Sequence, residues 1–218
     1  MERDASGAKI PLSIERIHPS RNGLSIVLTI DEVIQYITEE ALQKAFQQYR
    51  PKSAVAIVVN PKTGEILSMA VRPSFNINNY QETPGENRRN RAITDNYEPG
   101  STFKIFTIAT ALENGYARLT DNFYCKGWIN YQGTVIRDID PHGYQNLTDI
   151  VKNSCNVGVI EVGTRMDKKI FADSITNFGF GEKTGIELLG ESPGLFRPVS
   201  KWSKISNASL SIGQEISV

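Results

Sequence analysis

The sequence predicts a mixed fold of helices and strands, an α/β fold of the α+β type, in a chain of 218 residues. Two apolar runs joined by turn residues indicate a β-hairpin, and stretches with apolar residues at helical spacing lie on both sides of it. With 39% hydrophobic residues, the chain is long enough to bury a core. We therefore expect one large globular domain, with or without a sub-lobe.

The charge balance argues against nucleic acid as a partner. Lysine plus arginine and aspartate plus glutamate both total 24, so no overall basic field recruits nucleic acid or anionic lipid. The arginine-rich run at 86–91 is interpreted as a solvated loop. No apolar run approaches the roughly 20 residues of a membrane span, and the N-terminus lacks the apolar core of a signal peptide.

The first part of the chain predicts a tail, a strand and a helix. Residues 1–23 are polar and turn-rich and are interpreted as the tail of an upstream region. Leu24–Ile30 predicts a strand. The cap of the next helix is either Thr29, which has a glutamate at capping-box spacing, or Asp31, and Pro51 ends the helix. The apolar stripe of this helix consists of Ile34, Ile37, Ala41, Leu42, Ala45 and Phe46.

The next segment predicts the hairpin. Ala54–Val59 is a short apolar strand, residues 60–64 have turn chemistry, and Glu65–Val71 is a second strand. Residues 72–96 are rich in Asn, Pro and Arg. We expect them to form a loop that leads to the central helix.

The central helix begins after Pro99-Gly100 and has apolar residues at helical spacing up to Asn114-Gly115. Ser101 lies at its start, where free backbone N–H groups and the positive end of the helix dipole favour negative charge. Lys104 follows one turn later, with its Cβ roughly 5–6 Å from that of Ser101. The lysine amine can therefore reach the serine hydroxyl.

The second half of the chain is expected to be extended or irregular at 116–146 and then helical. Three helical patterns follow, at Leu147–Asn153, at about Val157–Met166 and at Lys168–Phe178. Ser154 and Asn156 therefore lie at a helix–helix junction, where side chains can point into a cleft. The segment 206–218 is small and polar, with scattered apolar residues.

Four of these side chains suggest nucleophilic catalysis by serine. Ser101 is the candidate nucleophile and Lys104 the candidate base. A lysine with an ordinary pKa of about 10.4 serves as a base only if burial or its neighbours lower that pKa by roughly 3, equivalent to about 4 kcal/mol. Ser154 can relay a proton to the leaving amine, and Asn156 can orient the lysine on one side and a substrate amide on the other.

Each short motif is weak by itself. Ser-x-x-Lys also occurs at Ser6-Gly-Ala-Lys9, and Ser-x-Asn occurs at 20–22, 74–76 and 154–156. Order and context carry the prediction: one Ser-x-x-Lys stands at the mouth of an apolar helix, and one Ser-x-Asn stands later at a helix junction.

Six segments carry a family resemblance: Leu28-Thr-Ile-Asp31, Val59-Asn-Pro-Lys-Thr-Gly-Glu-Ile-Leu-Ser-Met-Ala70, Arg89-Asn-Arg-Ala92, Tyr97-Glu-Pro-Gly-Ser-Thr-Phe-Lys104, Asn153-Ser-Cys-Asn156 and Phe178-Gly-Phe-Gly-Glu-Lys-Thr-Gly-Ile186. Together they resemble the transpeptidase domain of class B penicillin-binding proteins, from about Leu24 to the last residue. The resemblance implies the penicillin-binding protein and serine β-lactamase-like fold, an antiparallel sheet flanked by helices with a helical sub-lobe. It implies Ser101 as the acylated nucleophile, Lys104 as its base, and Ser154 with Asn156 as the second catalytic and substrate-binding element.

The resemblance also implies a function, a D,D-transpeptidase that cross-links peptidoglycan through a serine acyl-enzyme on D-Ala-D-Ala stem peptides. The implied partners are these stem peptides, β-lactam antibiotics and other membrane proteins of cell-wall synthesis, with no nucleic acid. No metal or organic cofactor is implied. The parent protein would be anchored in the bacterial cytoplasmic membrane with this domain outside the cytoplasm, acting in elongation, division or sporulation.

Lys-Thr-Gly, the third motif of the family, occurs twice, and neither copy is expected to be catalytic. Lys62-Thr63-Gly64 is in the hairpin turn, and Lys183-Thr184-Gly185 begins only 29 residues after Ser154, in a Gly-rich loop. The family's catalytic copy lies on a later strand. We therefore expect residues 24–218 to form a transpeptidase domain that is incomplete at its C-terminal end, with an unpaired sheet edge and exposed apolar sheet surface.

Two alternatives stay open beside this function. A class D β-lactamase or β-lactam sensor domain shares the Ser-Thr-Phe-Lys string, although valine is expected there in place of Asn156. The other alternative is an inactive fragment that acts only as a structural or binding module.

The two cysteines, Cys125 and Cys155, match no metal-binding spacing and form no disulfide framework, so free thiols are expected. Cys155 occupies the middle of the Ser-x-Asn motif, where the family often has serine, and no role is assigned to it. A cysteine hydrolase that uses Cys155 with His142 or His18 is a further alternative, from different chemistry.

Overall fold

The structure, a computed structural model, describes residues 4–8 and 22–218. Most of the predicted upstream tail at 1–23, including His18, lies outside the described residues. No helix in this part of the chain is long and apolar enough to cross a lipid bilayer.

The predicted N-terminal helix is confirmed. Helix α1 spans Glu32–Tyr49 and ends at Arg50, which adopts the left-handed conformation. Its cap is Asp31 and not Thr29, because the Asp31 carboxylate accepts hydrogen bonds from two backbone N–H groups of the first turn. The predicted apolar stripe is only partly covered, since Ile37 is 60% exposed.

The predicted hairpin is also confirmed. Strands β1 (Ala54–Val59) and β2 (Ile66–Arg72) pair antiparallel around a turn in which Gly64 has a φ of 78°. Helix α1 packs on this hairpin, and its Gln35 exchanges two hydrogen bonds with the backbone of Met69, at 2.8 and 3.1 Å. The helix and the hairpin therefore form one layer.

The predicted strand at Leu24–Ile30 is wrong. This segment has no strand conformation, and Leu24 and Val27 are each 96% exposed. Its end is tied to the hairpin by a hydrogen bond of 2.6 Å from the Thr29 hydroxyl to the backbone oxygen of Ile66. A strand needs a neighbour for its N–H and C=O groups, and the described part of the chain offers this segment none.

The predicted loop at 72–96 contains one short helix, α2 (Arg91–Thr94), which has no buried residue. The core is formed mainly by the helices that follow: α3 (Lys104–Glu113), α4 (Leu147–Lys152), α5 (Asn156–Arg165), α6 (Lys168–Asn177) and α7 (Ser206–Ser211). The three helices predicted after residue 146 are confirmed to within one residue at each end. Helix α5 packs against both α3 and α7, and its Val159, Ile160 and Val162 are fully buried.

The stretch between α3 and α4, expected to be extended or irregular, is extended in part and forms two small sheets. The strand pairs are β3 (Phe123–Cys125) with β6 (Gly143–Gln145), β4 (Trp128–Tyr131) with β5 (Thr134–Arg137), and near the C-terminus β7 (Leu195–Phe196) with β8 (Ile216–Ser217). All strand pairs among residues 22–218 are antiparallel, in agreement with the predicted fold class.

Helix α7 is the largest departure from the sequence analysis, which described 206–218 only as small and polar. Every residue of α7 is buried. Its small side chains allow close packing on α5, where a Cβ built on Gly163 would lie 1.8 Å from Ser211 Oγ. The hydroxyl of Thr107 on α3 donates to the backbone oxygen of Ser211 at 3.1 Å. Helix α7 therefore supports the helix that carries Lys104.

One face of the hairpin is open. Side chains alternate between the two faces of a strand, and Val55, Ile57 and Val59 on one face of β1 are 41%, 44% and 46% exposed. They line a cleft of about 870 Å³ together with Met69 and Ile186. The predicted exposure of apolar sheet surface is confirmed for this face.

We expect this open face to promote self-association at high protein concentration. The double substitution of Val55 and Ile57 by threonine should lower the average mass in light scattering, because it makes the face more polar. Val135→Thr, at a residue that is 48% exposed on β5, is the control and should change nothing. A monodisperse monomer for the unmodified chain would contradict this prediction.

Candidate active site

Ser101 lies in a turn that leads directly into α3. Residues Gly100–Phe103 form a 3₁₀ turn and α3 continues from Lys104, so the first turn is tighter than the predicted α-helix. The Ser101 side chain is exposed, and its hydroxyl has no hydrogen-bond partner among the residues described. It is therefore free to face a substrate.

The C-terminal segment holds this turn from behind. The N–H of Gly100 donates to the backbone oxygen of Gly213 at 3.1 Å, and Tyr97 and Val218 exchange two backbone hydrogen bonds of 3.1 and 3.0 Å. Gly213 has a φ of 75°, and a Cβ at this position would lie 2.1 Å from the oxygen of Gly100. The chain after α7 therefore fixes the position of Ser101.

Lys104 points into the interior and is 2% exposed. Its Nζ donates to the backbone oxygen of Ser154, to Ser154 Oγ at 3.1 Å and to Asn156 Oδ1 at 2.7 Å. The backbone N–H of Lys104 donates to the backbone oxygen of Ser101, but within the described part of the chain no hydrogen bond joins Lys104 Nζ to Ser101 Oγ. The structure thus brings three of the four predicted side chains into direct contact, with Ser101 three residues before Lys104 on the preceding turn.

Burial lowers the pKa of Lys104 below its ordinary value of 10.5, and the negative charge of Asp138 partly opposes this shift. A lower pKa increases the fraction of neutral amine at a given pH. The direction is the one that a general base requires.

Ser154 and Asn156 come from the junction between α4 and α5. Ser154 has a φ of 52°, in the left-handed region, which is uncommon for a residue with a side chain and is found at functional sites. Asn156 is the first residue of α5, and its Nδ2 donates to the backbone oxygen of Arg137 at 3.1 Å while its Oδ1 accepts from Lys104. The amide therefore connects the end of β5 to the lysine.

Cys155, between these two residues, is fully buried. Burial raises the pKa of its thiol to about 12, and the hydrogen bond to Asp138 acts in the same direction. A buried, protonated thiol is not a nucleophile. The burial of Cys155 and its raised pKa therefore argue against the cysteine hydrolase alternative with His142, whereas His18 lies outside the described residues.

The two Lys-Thr-Gly copies lie in the predicted places. Lys62-Thr63-Gly64 forms the turn between β1 and β2, and Lys183-Thr184-Gly185 lies in an exposed loop where Thr184 is hydrogen-bonded to Glu191. Within residues 22–218, Lys183 makes no hydrogen bond or ion pair with Ser101, Lys104, Ser154 or Asn156.

Two residues that were not predicted, Arg137 and Asp138, contact the start of α5. The Arg137 oxygen accepts from Asn156, and the Asp138 carboxylate accepts from the N–H of Val157 at 3.3 Å. No short motif marks these positions. These residues reach the start of α5 only when β3 pairs with β6 and β4 pairs with β5.

The site combines an exposed serine on a turn that leads into a helix, a buried lysine, and a hydroxyl and an amide that contact this lysine. This arrangement suits serine acyl transfer. Comparison with known proteins agrees. A model of the penicillin binding protein transpeptidase domain matches residues 54–218. The chain belongs to this family, and the predicted resemblance to class B penicillin-binding proteins is confirmed.

Individual relatives give the same result. The chain is 41% identical over 219 residues to stage V sporulation protein D of Bacillus subtilis, covering 99% of this chain and 34% of that protein. It is 36% identical over 196 residues to peptidoglycan D,D-transpeptidase FtsI of Escherichia coli K12, covering 89% and 33%. It spans about a third of the length of these curated relatives.

Solved structures show the same fold. Penicillin binding protein 3 from Mycobacterium tuberculosis, complexed with aztreonam, superposes with a TM-score of 0.84 at 31% identity, covering 94% of this chain and 46% of that one. The transpeptidase domain of penicillin-binding protein 3 from Burkholderia pseudomallei gives a TM-score of 0.78 at 29% identity, covering 88% and 54%.

Proposed function

We propose that this chain carries the serine, lysine and Ser-x-Asn elements of a D,D-transpeptidase that cross-links peptidoglycan. The observation that carries the proposal is the position of Lys104 Nζ, 3.1 Å from Ser154 Oγ and 2.7 Å from Asn156 Oδ1, one turn after the exposed Ser101. Relatives named peptidoglycan D,D-transpeptidase support the substrate class.

In the proposed acylation, Ser101 Oγ attacks the carbonyl carbon between the last two residues of a D-Ala-D-Ala stem peptide. The serine proton goes to the neutral amine of Lys104. Ser154, hydrogen-bonded to Lys104, passes a proton to the leaving nitrogen, so the C–N bond breaks and free D-alanine departs. An ester between Ser101 and the shortened stem peptide remains.

In the proposed transfer, the amine of a neighbouring stem peptide attacks this ester. It loses a proton through the same relay, and Ser101 Oγ leaves and regains its proton from Lys104. A β-lactam enters at the first step, but its cleaved C–N bond lies in a ring. The leaving group therefore stays attached, and the ester persists.

The partners and location of the whole protein belong to the same proposal. Peptidoglycan stem peptides and β-lactams would be the ligands, and membrane proteins of cell-wall synthesis the partners. Cross-linking of stem peptides takes place outside the cytoplasm, so we place this domain there, on a membrane-anchored parent. Residues 24–218 would be the transpeptidase domain and residues 1–23 the end of a preceding region.

Intact-mass spectrometry after incubation with benzylpenicillin tests the proposal. We expect a single penicilloyl adduct on this chain and none on Ser101→Ala, because the ester forms only on that hydroxyl. Ser74→Ala, at an exposed serine of the segment 72–96, is a control for non-specific acylation and should keep the adduct. An adduct on Ser101→Ala would contradict the assignment of the nucleophile. Absence of the adduct from all forms would favour the binding or structural module.

A further inference from the structure

Four side chains with metal-binding chemistry meet directly behind the Ser-Cys-Asn motif. The ligand atoms of Cys125, Asp138, His142 and Cys155 all lie within 4.8 Å of one another. They come from β3, from the chain between β5 and β6, and from the cap of α5. Both cysteines are free thiols, and each is at most 1% exposed.

Two distances within the cluster match those of a tetrahedral zinc site. Zn–S bonds of about 2.3 Å and Zn–N or Zn–O bonds of about 2.0–2.2 Å at tetrahedral angles place ligand atoms roughly 3.4–3.8 Å apart. Cys125 Sγ lies 3.5 Å from Asp138 Oδ2, and His142 Nδ1 lies 3.7 Å from the same oxygen. Two sulfurs, one imidazole nitrogen and one carboxylate oxygen are also ligand types that zinc accepts.

The imidazole of His142 gives an independent indication. Its Nδ1 atom is buried and has no hydrogen-bond partner in the described part of the chain. The carboxylate oxygen Asp138 Oδ2, at 3.7 Å, is too far for a hydrogen bond. A buried polar atom without a partner is costly, and a metal ion at the centre of the cluster would satisfy it.

The surroundings of the cluster resemble the outer shell of a metal–thiolate site. Cys155 Sγ accepts hydrogen bonds from Gln145 Nε2 at 3.1 Å and from the N–H of Gly158 at 3.2 Å. Asp138 accepts from the backbone N–H groups of Val157 and Ile139. Such donors stabilise thiolate and carboxylate ligands and hold them in position.

We propose that Cys125, Asp138, His142 and Cys155 bind one Zn²⁺ ion as a closed structural site. Binding replaces the two thiol protons by the metal. With two thiolates and one carboxylate, the site then has a net charge of −1. All four positions are filled by protein atoms, so the ion has no open position for a substrate.

The proposed zinc site would affect the transpeptidase residues by holding them in place. Cys155 is the residue between Ser154 and Asn156, and Asp138 follows Arg137, whose oxygen holds the Asn156 amide. A zinc ion would therefore clamp the start of α5 to the end of β5, and with it the two groups that contact Lys104.

Metal analysis of the protein, purified without chelator and without a metal-affinity column, tests this proposal. We expect one zinc per chain by mass spectrometry of the elements. Exchange for Co²⁺ should give the visible absorption of tetrahedral cobalt together with a thiolate charge-transfer band. Neither measurement depends on transpeptidase activity. The zinc proposal can therefore be tested even if the proposed function is wrong.

Variants separate this site from adventitious binding. Cys125→Ser and Asp138→Asn should each lose the zinc, whereas Asp140→Asn, a neighbouring exposed carboxylate, should keep it. Removal of zinc should slow benzylpenicillin acylation, and added zinc should restore it. Absence of stoichiometric zinc and of the cobalt spectrum in the unmodified chain would overturn the proposal. Zinc retained by both ligand variants, or a Cys125–Cys155 disulfide in the native protein, would do the same.

Discussion

Replacement of Lys104 by methionine is expected to lower the rate of benzylpenicillin acylation by roughly 10²–10⁴-fold, the usual contribution of a general base. Methionine keeps most of the buried aliphatic stem but has no amine to take the Ser101 proton. Because Lys104 is 2% exposed, the substitution also removes the need to bury an ionisable group. We therefore expect a folded variant with a melting temperature equal to or above that of the unmodified chain.

Lys44→Met, at an exposed position of α1, is the matched control and should acylate at the unmodified rate. The measurement is the time course of the penicilloyl adduct by intact mass, with thermal unfolding followed in parallel. A Lys104→Met variant that is folded and acylates at the unmodified rate would contradict the role of the lysine as base.

The same lysine sets an expected pH dependence. The neutral amine is the active form, so the acylation rate should rise with pH and level off above the pKa of Lys104. Burial lowers this pKa below 10.5, so the plateau should begin at a lower pH than an exposed lysine would give. The free energy of unfolding should also rise with pH, because between the lowered pKa and the ordinary pKa of Lys104 the unfolded state binds more protons than the folded state. In that window, stability rises with pH.

Each half of the site, Ser101 with Lys104 and Ser154 with Asn156, was predictable from sequence because the information within each half is local. Lys104 is one turn from Ser101 on an apolar helix, and Ser154 and Asn156 stand between two amphipathic patterns. The family resemblance then placed the two elements in one cleft. The hairpin was predictable for the same reason, since its strands and turn are consecutive.

Helix α7 was not predictable in this way. Its residues are small and mostly polar, so they form no apolar stripe, yet they are buried because small residues let α7 approach Gly163 of α5 closely. The segment Leu24–Ile30 shows the opposite case. Its residues favour a strand, but a strand also requires a partner, and sequence pattern alone does not report whether one is present.

The cluster of Cys125, Asp138, His142 and Cys155 also depends on long-range structure. Asp138 and His142 are four residues apart, but the two cysteines lie further along the chain on either side and match no metal-binding spacing. The pairing of β3 with β6 brings Cys125 opposite Gly143, next to His142, and the packing of α5 on β3 brings Cys155. A pattern search has no access to this juxtaposition, because it arises only when the sheet and the helix assemble.

Gly213→Ala is expected to lower the free energy of unfolding by about 2–4 kcal/mol, the sum of left-handed backbone strain and overpacking. Gly213 has a φ of 75°, and a Cβ there would lie 2.1 Å from the oxygen of Gly100 and 2.7 Å from Phe103 Cβ. The hydrogen bond from the Gly100 N–H to Gly213 cannot survive unless one of the two segments moves. Because Ser101 follows Gly100 directly, the variant should also acylate more slowly.

Gly115→Ala is the matched comparison, because it introduces the backbone strain of a left-handed alanine without a steric overlap. Gly115 has a φ of 71°, and a Cβ there would meet nothing within 4 Å, so only the left-handed strain of about 1–2 kcal/mol applies. Urea unfolding and benzylpenicillin acylation of both variants give the comparison. A larger loss of stability together with slower acylation in Gly213→Ala alone is the expected result, because only this residue supports the Ser101 turn. Equal losses in both variants, with acylation unchanged, would show that the chain after α7 does not position the nucleophile.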